Sequence, residues 1–408
     1  MGIGVVGIFI SGLLLFTQNA GAAVANWQKG ATIYPRWNTD FSSASFQQSV
    51  RNLAATHANY VTLHIPLHQS NIYSTDVYIG GDAPTDQSLV DGINYIHSQG
   101  MHVALKFQDL PNDGNWSAYI NPGDRNSWFT NYGNAVAHFA QIAQSTGVEE
   151  IVIGEELLDM SEDNVNGTNT SNWFSLIGRM RSIYSGQLTY SANWGGSDFT
   201  NEKSHIKFWS ALDQIGISAY FNLYGDNSVS NLESQWNNWN MSDVTPLAQQ
   251  WGKPVIFTEI GYKTLTTANQ NPWMWWQGGG QDQNAQANDY QALFDYWNKY
   301  PFMQGVYLWD WSSDPNAGNG GDIDYTPQNK MAQGTMATWF SQAGTPPPPS
   351  PAPPPQSTGP GPMTDFFDMN EVFGNTTGDF SFDADALGDM NLFFDPSAVH
   401  DGTSLDIK

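Results

Sequence analysis

Cysteine is absent from all 408 residues, which excludes disulfides and thiolate-held metals. Positive charge is scarce too. Lys and Arg number 14 against 39 Asp and Glu, a formal charge of −25, and phosphate would repel such a chain, so nucleic acid is excluded as a partner. Charged residues of either sign make up 13% of the chain. That leaves Asn, Gln, Ser, Thr and Gly to carry the surface, as is common in secreted, sugar-handling proteins. The one long apolar run, Val5 to Phe16, is short for a bilayer span.

Small residues ending in Ala23-Val24-Ala25 follow that run, so residues 1–25 read as a secretory signal cleaved before Asn26, although no Lys or Arg precedes it. A membrane anchor is the alternative. The expected location is secreted or extracellular, with periplasm and cell surface as variants, and no stable membrane insertion after cleavage. Residues 344–362 are Pro-rich and predict a semi-rigid extended linker. Residues 363–408 hold ten acidic residues against one Lys, with seven Phe among them, and are expected to be disordered or to fold on a partner of unknown kind. Asp383, Asp385 and Asp389 hint at calcium, without the glycine and terminal Glu of an EF-hand. Asn-x-Ser/Thr sites occur at Asn115, Asn166, Asn169, Asn240 and Asn375.

Residues 26–343 contain all 17 Trp and no internal Pro/Gly/Ser linker, which predicts one large domain. Apolar, β-branched runs mark eight strands, at 31–35, 60–65, 102–106, 150–154, 187–192, 214–219, 254–258 and 305–309. Between them lie segments of helical spacing, such as Phe46, Val50 and Leu53, then Leu89, Ile93 and Ile96, then Tyr290, Leu293, Phe294 and Trp297. Eight strands alternating with amphipathic helices predict an α/β fold, the (β/α)8 TIM barrel. An open doubly wound sheet is the runner-up, but no Gly-rich phosphate loop follows any strand.

Function in a barrel lies just past the strand ends. The fourth strand runs into Glu155-Glu156-Leu157 and the seventh into Glu259-Ile260-Gly261-Tyr262, which sets carboxylates across one rim. Two carboxylates about 5 Å apart are what a retaining glycosidase needs, one as nucleophile and one as acid/base. Around them, Lys106, Gln108 and Asp109 after the third strand and Trp116 in the following loop would line the side where a glycone lies. Asn193 and Trp194 after the fifth strand could hold hydroxyls and a sugar face, and Tyr220 after the sixth could orient a nucleophile. Of Trp309 and Trp311, which flank Asp310, Trp309 is expected to floor the subsite next to cleavage. Trp273, Trp275 and Trp276 form either an outer subsite or packing on the barrel.

A Glu closing strand four and another closing strand seven, with Tyr on strand six and Trp on strand eight, resembles the clan of retaining barrel glycosidases. Within it the chain looks most like glycoside hydrolase family 113, whose characterised activity is endo-β-1,4-mannanase. The resemblance runs through Asp40 to Ser43, Ala58 to Val61, Thr85-Asp86, Leu188 to Trp194, Phe208 to Asp213 and, most specifically, Gly252 to Tyr262. It implies Glu156 as general acid/base, from Gly154-x-Glu156-Leu157, and Glu259 as nucleophile. It also implies a polysaccharide or oligosaccharide substrate, with no metal or organic cofactor. A monomer is expected.

Three departures bear on the sugar. Where the clan usually places Asn to bind the 2-hydroxyl, this chain has Glu155, which could raise the pKa of Glu156, change sugar preference or mark a degenerate site. The family's Lys-Pro-His appears as Lys106-Phe107-Gln108. The basic residue expected near strand two has only His64 or His68 as candidates. The sequence therefore supports a secreted endo-β-glycosidase acting on β-1,4-mannan or a related hemicellulose. Its alternatives are a β-glucan or exopolysaccharide hydrolase and a catalytically inactive sugar-binding barrel.

Overall fold

The computed structural model describes residues 27–163 and 168–342. The proposed signal, linker, tail, calcium segment, Asn166 and Asn375 lie outside the described residues.

Eight parallel strands close into a barrel in chain order. They are β1 (Gln28–Ile33), β2 (Tyr60–Gln69), β3 (His102–Pro111), β4 (Glu150–Glu155), β5 (Gln187–Asn193), β6 (Ile215–Ser218), β7 (Val255–Ile260) and β8 (Met303–Leu308). The eight-stranded (β/α)8 expectation holds, with shifted boundaries. β1 begins at Gln28 rather than Ala31 because Gln28 turns its polar side chain inward, where Tyr307 donates to it at 2.7 Å. β2 and β3 pair residue for residue from Tyr60↔His102 to Gln69↔Pro111. Lys106, Gln108 and Asp109 therefore sit on strand β3 rather than beyond it.

The crossover helices bury their predicted stripes. Helix α1 (Ala44–Ala54) buries Phe46, Val50 and Leu53, and its Ser43 cap accepts from the Phe46 N–H. Helix α2 (Asp86–Ser98) buries Leu89, Ile93 and Ile96 behind a Thr85 cap. Helix α3 (Arg125–Thr146) starts at an Asp124 cap and stops at Gly147, whose φ of 75° is the left-handed turn that glycine adopts most cheaply. Further round lie α4 (Asn169–Ile183), α5 (Val229–Trp239), α6 (Gln283–Trp297) and α7 (Met331–Phe340). Among the described residues no helix is long and apolar enough to cross a membrane.

Ala104, Ile256 and Tyr307, with Tyr60 against them, fill the lower barrel. Glu150 is buried there with Oε2 2.9 Å from the same Tyr307 hydroxyl, whose one proton it shares with Gln28. Burial pushes it up to about 7 despite that bond. This packed floor leaves the polar side chains to converge at the C-terminal rim.

Candidate active site

Strict alternation would not bring the rim carboxylates together. Ile256 faces the interior and Thr258 follows it inward, its hydroxyl 2.7 Å from that of Ser191, so Glu259 should point out toward the helices. The β7–β8 register shifts between Phe257 and Ile260, and an irregularity of this kind re-aims a side chain. Glu259 consequently turns inward beside Thr258. A second shift, between Val152 and Glu155 where β4 meets β5, does the same for Glu155. Glu156 then takes a φ of +47°, uncommon for a residue with a Cβ, and its N–H is held by the Ser191 carbonyl at 2.9 Å.

One inward step along β3 from Ala104, two residues on, brings the Lys106 ammonium between two carboxylates. It donates to Glu155 Oε1 at 2.8 Å and to Glu259 Oε2. The Tyr220 hydroxyl donates to the other oxygen of Glu259 at 2.5 Å. Burial opposes the charge on Glu259, but Lys106 and these hydrogen bonds outweigh it and hold the carboxylate below its usual range. Among the described residues Glu156 receives only neutral donors: Trp116 Nε1 at 3.1 Å and Asn193 Nδ2 at 3.0 Å. Burial first, then the charges of Glu259 and Glu202, push it up to about 8. The two carboxylates are thus pushed in opposite directions, Glu259 toward its ionised form and Glu156 toward its protonated one.

Of the residues expected at the site, Glu155, Glu156, Glu259, Lys106, Trp116, Asn193 and Tyr220 converge. Trp309 joins them, its ring centroid 4.9 Å from Lys106 Nζ, while Trp311 is buried and donates to Ser49 Oγ at 2.9 Å. Gln108 shares the inward face of β3 with Lys106 and is half-buried. Asp109 is placed elsewhere. It shares the outward face with Phe107, which packs on Phe139 of α3, and neither of its oxygens has a partner among the described residues. Burial raises it to about 8. Trp194 also leaves the open rim: it is buried against Phe221 and edge-on to Trp239. His64 is buried against Tyr34 and Trp309, and burial, then Lys106, lowers it to about 3, so it is a neutral ring. His68 pairs with Asp82 at 2.9 Å away from the cluster. Trp273, Trp275 and Trp276 stay partly exposed, packed edge to face on one another.

Glu202 was not legible as a site residue, since it lies on a short helical turn, Glu202–His205, rather than at a strand end. It is fully buried, accepts from the Tyr190 hydroxyl at 2.5 Å and from the Asn193 N–H at 2.7 Å, and so fixes the backbone from which Asn193 reaches Glu156. Tyr190 in turn accepts from the Leu157 N–H at 2.8 Å, tying the ends of β4 and β5 together.

Lys106 has no solvent exposure and two carboxylate partners. Removing one member of a buried charge cluster leaves the rest uncompensated, at a cost of about 3–5 kcal/mol. Lys106→Met is expected to destabilise the fold by that amount, read from denaturant unfolding. A loss below about 1 kcal/mol would show that water already solvates the cluster.

Residues 34–330 match Glycoside Hydrolase Family 113. Among solved structures, a complex of a GH113 β-1,4-mannanase is 26% identical over 77% of this chain and 99% of its own, with a TM-score of 0.66. The GH113 β-mannanase of Alicyclobacillus acidocaldarius, solved with the compound ManMIm, is 24% identical over 79% of this chain and 99% of its own, with a TM-score of 0.68. A β-glucuronidase of Ruminococcus gnavus, 12% identical over 77% of this chain and 50% of its own with a TM-score of 0.52, shares the fold alone. No curated protein matches the chain.

Proposed function

Since the chain belongs to glycoside hydrolase family 113, we propose that it is a retaining endo-β-1,4-mannanase with Glu259 as nucleophile and Glu156 as acid/base. The observation that carries this reading is the opposite treatment of the two carboxylates. Glu259 is paired with a cation and a phenol, and Glu156 accepts from the neutral donors Trp116 and Asn193. Double displacement needs that division of labour.

In the first step a Glu259 oxygen attacks the anomeric carbon as the bond to the leaving oxygen breaks and Glu156 passes its proton to that oxygen. The product is a glycosyl ester on Glu259 and an ionised Glu156. Glu156 then takes a proton from water, the water oxygen attacks the anomeric carbon, and Glu259 leaves as a carboxylate. Asn193 and Trp116 hold Glu156 through both steps, one on each oxygen.

Two supports bear on the substrate: the GH113 β-mannanases among the similar structures, and aromatic side chains at the mouth, since flat C–H faces of pyranose rings pack on aromatic surfaces. Glu155 beside Lys106 favours a second reading, a β-glucan or exopolysaccharide, because a carboxyl group there meets sugar hydroxyls differently from an amide. Reducing-sugar release by the purified protein on galactomannan, glucomannan, β-glucan and xylan decides between them. Release from the mannans alone is expected. Release only from another polymer sinks the mannanase assignment, and none from any polymer sinks catalysis itself. The proposal includes export, supported by the apolar run and Ala23-Val24-Ala25; a mature N-terminus other than Asn26 in the culture medium would contradict it.

A further inference from the structure

At the centre of the site one ammonium serves two carboxylates. Lys106 Nζ bridges Glu155 and Glu259, and all three side chains are almost wholly out of water, 0%, 3% and 11% exposed. A single positive charge balances a single negative one, and a second bare carboxylate in that setting costs several kcal/mol. One of the two therefore holds a proton. The donors say which: Glu259 has Tyr220 on its second oxygen, whereas Glu155 Oε2 has no hydrogen-bond partner among the described residues. Glu155 Oε1 and Glu259 Oε2 both accept from the same Lys106 nitrogen, which sets the two carboxyl groups side by side.

We propose that Glu155 works as a neutral carboxylic acid, a positioning residue that shares its proton with Glu259 and steadies Lys106 so that the nucleophile keeps one orientation. The inference rests on the reading of Glu259 as nucleophile. The groups facing Glu155 agree with it. Glu259 from β7 and the adjoining Glu156 disfavour a charge on Glu155, and Lys106 from β3 favours one but already balances Glu259. Tyr132 of α3, buried and raised well above the usual tyrosine range, adds no charge. From β5 the residue paired with Glu155 is Ser191, which does not titrate. Burial, then Glu259, accordingly raises Glu155 well above the carboxylate range. A protonated acid presents one donor and one acceptor, the pattern an amide also offers. Toward Lys106 and Glu259 the carboxyl group thus does the work of a side-chain amide, while it has one hydrogen fewer to offer a sugar hydroxyl.

The test compares Glu155→Gln and Glu155→Ala in the full chain. In the infrared at neutral pH, wild type minus Glu155→Gln is expected to show loss of one protonated-carboxyl C=O band; buried acids common to both proteins cancel. Loss of an ionised-carboxylate pair of bands instead would overturn the proposal. On soluble β-1,4-mannan, Glu155→Ala is expected to lower kcat roughly 10- to 100-fold with a smaller change in KM, since a buried partner of Lys106 and Glu259 is gone. Glu155→Gln is expected to recover the greater part of that loss. A Gln variant as impaired as the Ala variant, or one that fails to fold, would mean that the negative charge is required and would overturn it too. The infrared result stands whether or not mannan is the substrate. Inactive wild type with the expected band therefore counts against the assigned activity and not against the charge state.

Discussion

Glu259→Ala is expected to lower kcat by on the order of 10⁴- to 10⁶-fold, because removing a covalent nucleophile removes the first step and leaves only the binding and electrostatic contributions. The fold should survive better than the chemistry. Without Glu259, Lys106 keeps Glu155 as a partner, and that acid can now ionise to compensate it. The vacated space also makes the loss reversible by chemistry. Azide supplied in solution can attack the anomeric carbon from the side Glu259 occupied, break the bond to the leaving oxygen, and yield a glycosyl azide of inverted configuration. Turnover restored by azide, with that product identified, would establish the position of the nucleophile. Residual activity above about 1% of wild type without added anion would assign the role to another carboxylate, and Glu155 would be the first to examine.

Glu156→Ala is expected to cost about 10²- to 10⁴-fold on a polysaccharide, the usual range for a general acid/base. The loss should shrink on an aryl glycoside whose phenol leaves without protonation, because the first step no longer needs a proton. The pH profile supplies an independent reading. Glu156 must be protonated to act as an acid, so wild-type kcat/KM should fall as pH rises through about 8, the level to which burial and then Glu259 and Glu202 raise it. Glu259 must be ionised, so the acid limb should lie below the ordinary carboxylate range. The variant should lose the basic limb and keep the acid one. A basic limb that persists unchanged in Glu156→Ala would exclude it as the acid.

The strands were legible because a strand buried on both faces reads as an apolar run: all six residues of β7 are buried. Convergence of Glu156 and Glu259 was legible from matched strand ends. The manner of it was not, since a register shift has no composition of its own and shows only when partner strands are aligned. Asp109 illustrates the same limit from the other side. Reading β3 as ending at Lys106 left Asp109 free to face a substrate, whereas the continuation to Pro111 fixes its parity with Phe107 and turns it to the helices. Trp194 was drawn inward by Phe221 and Trp239, which lie far from it in sequence. Lys106 in sequence points to the glycone side; its place between Glu155 and Glu259 depends on three strands meeting, which no local pattern encodes.

The register shifts in β4 and β7 act as phase changes between two messages written on one strand. Below each shift the alternation of side chains serves the packed floor, and above it the alternation is offset to serve the chemistry. A one-residue deletion at either shift would remove the extra residue, restore an uninterrupted pleat and leave the segments on both sides in register with their partner strands, so the carboxylate above it would still face inward. The aim of each carboxylate is thus set by the register of the strands beside it, and the extra residue is what lets one strand keep step with both layers.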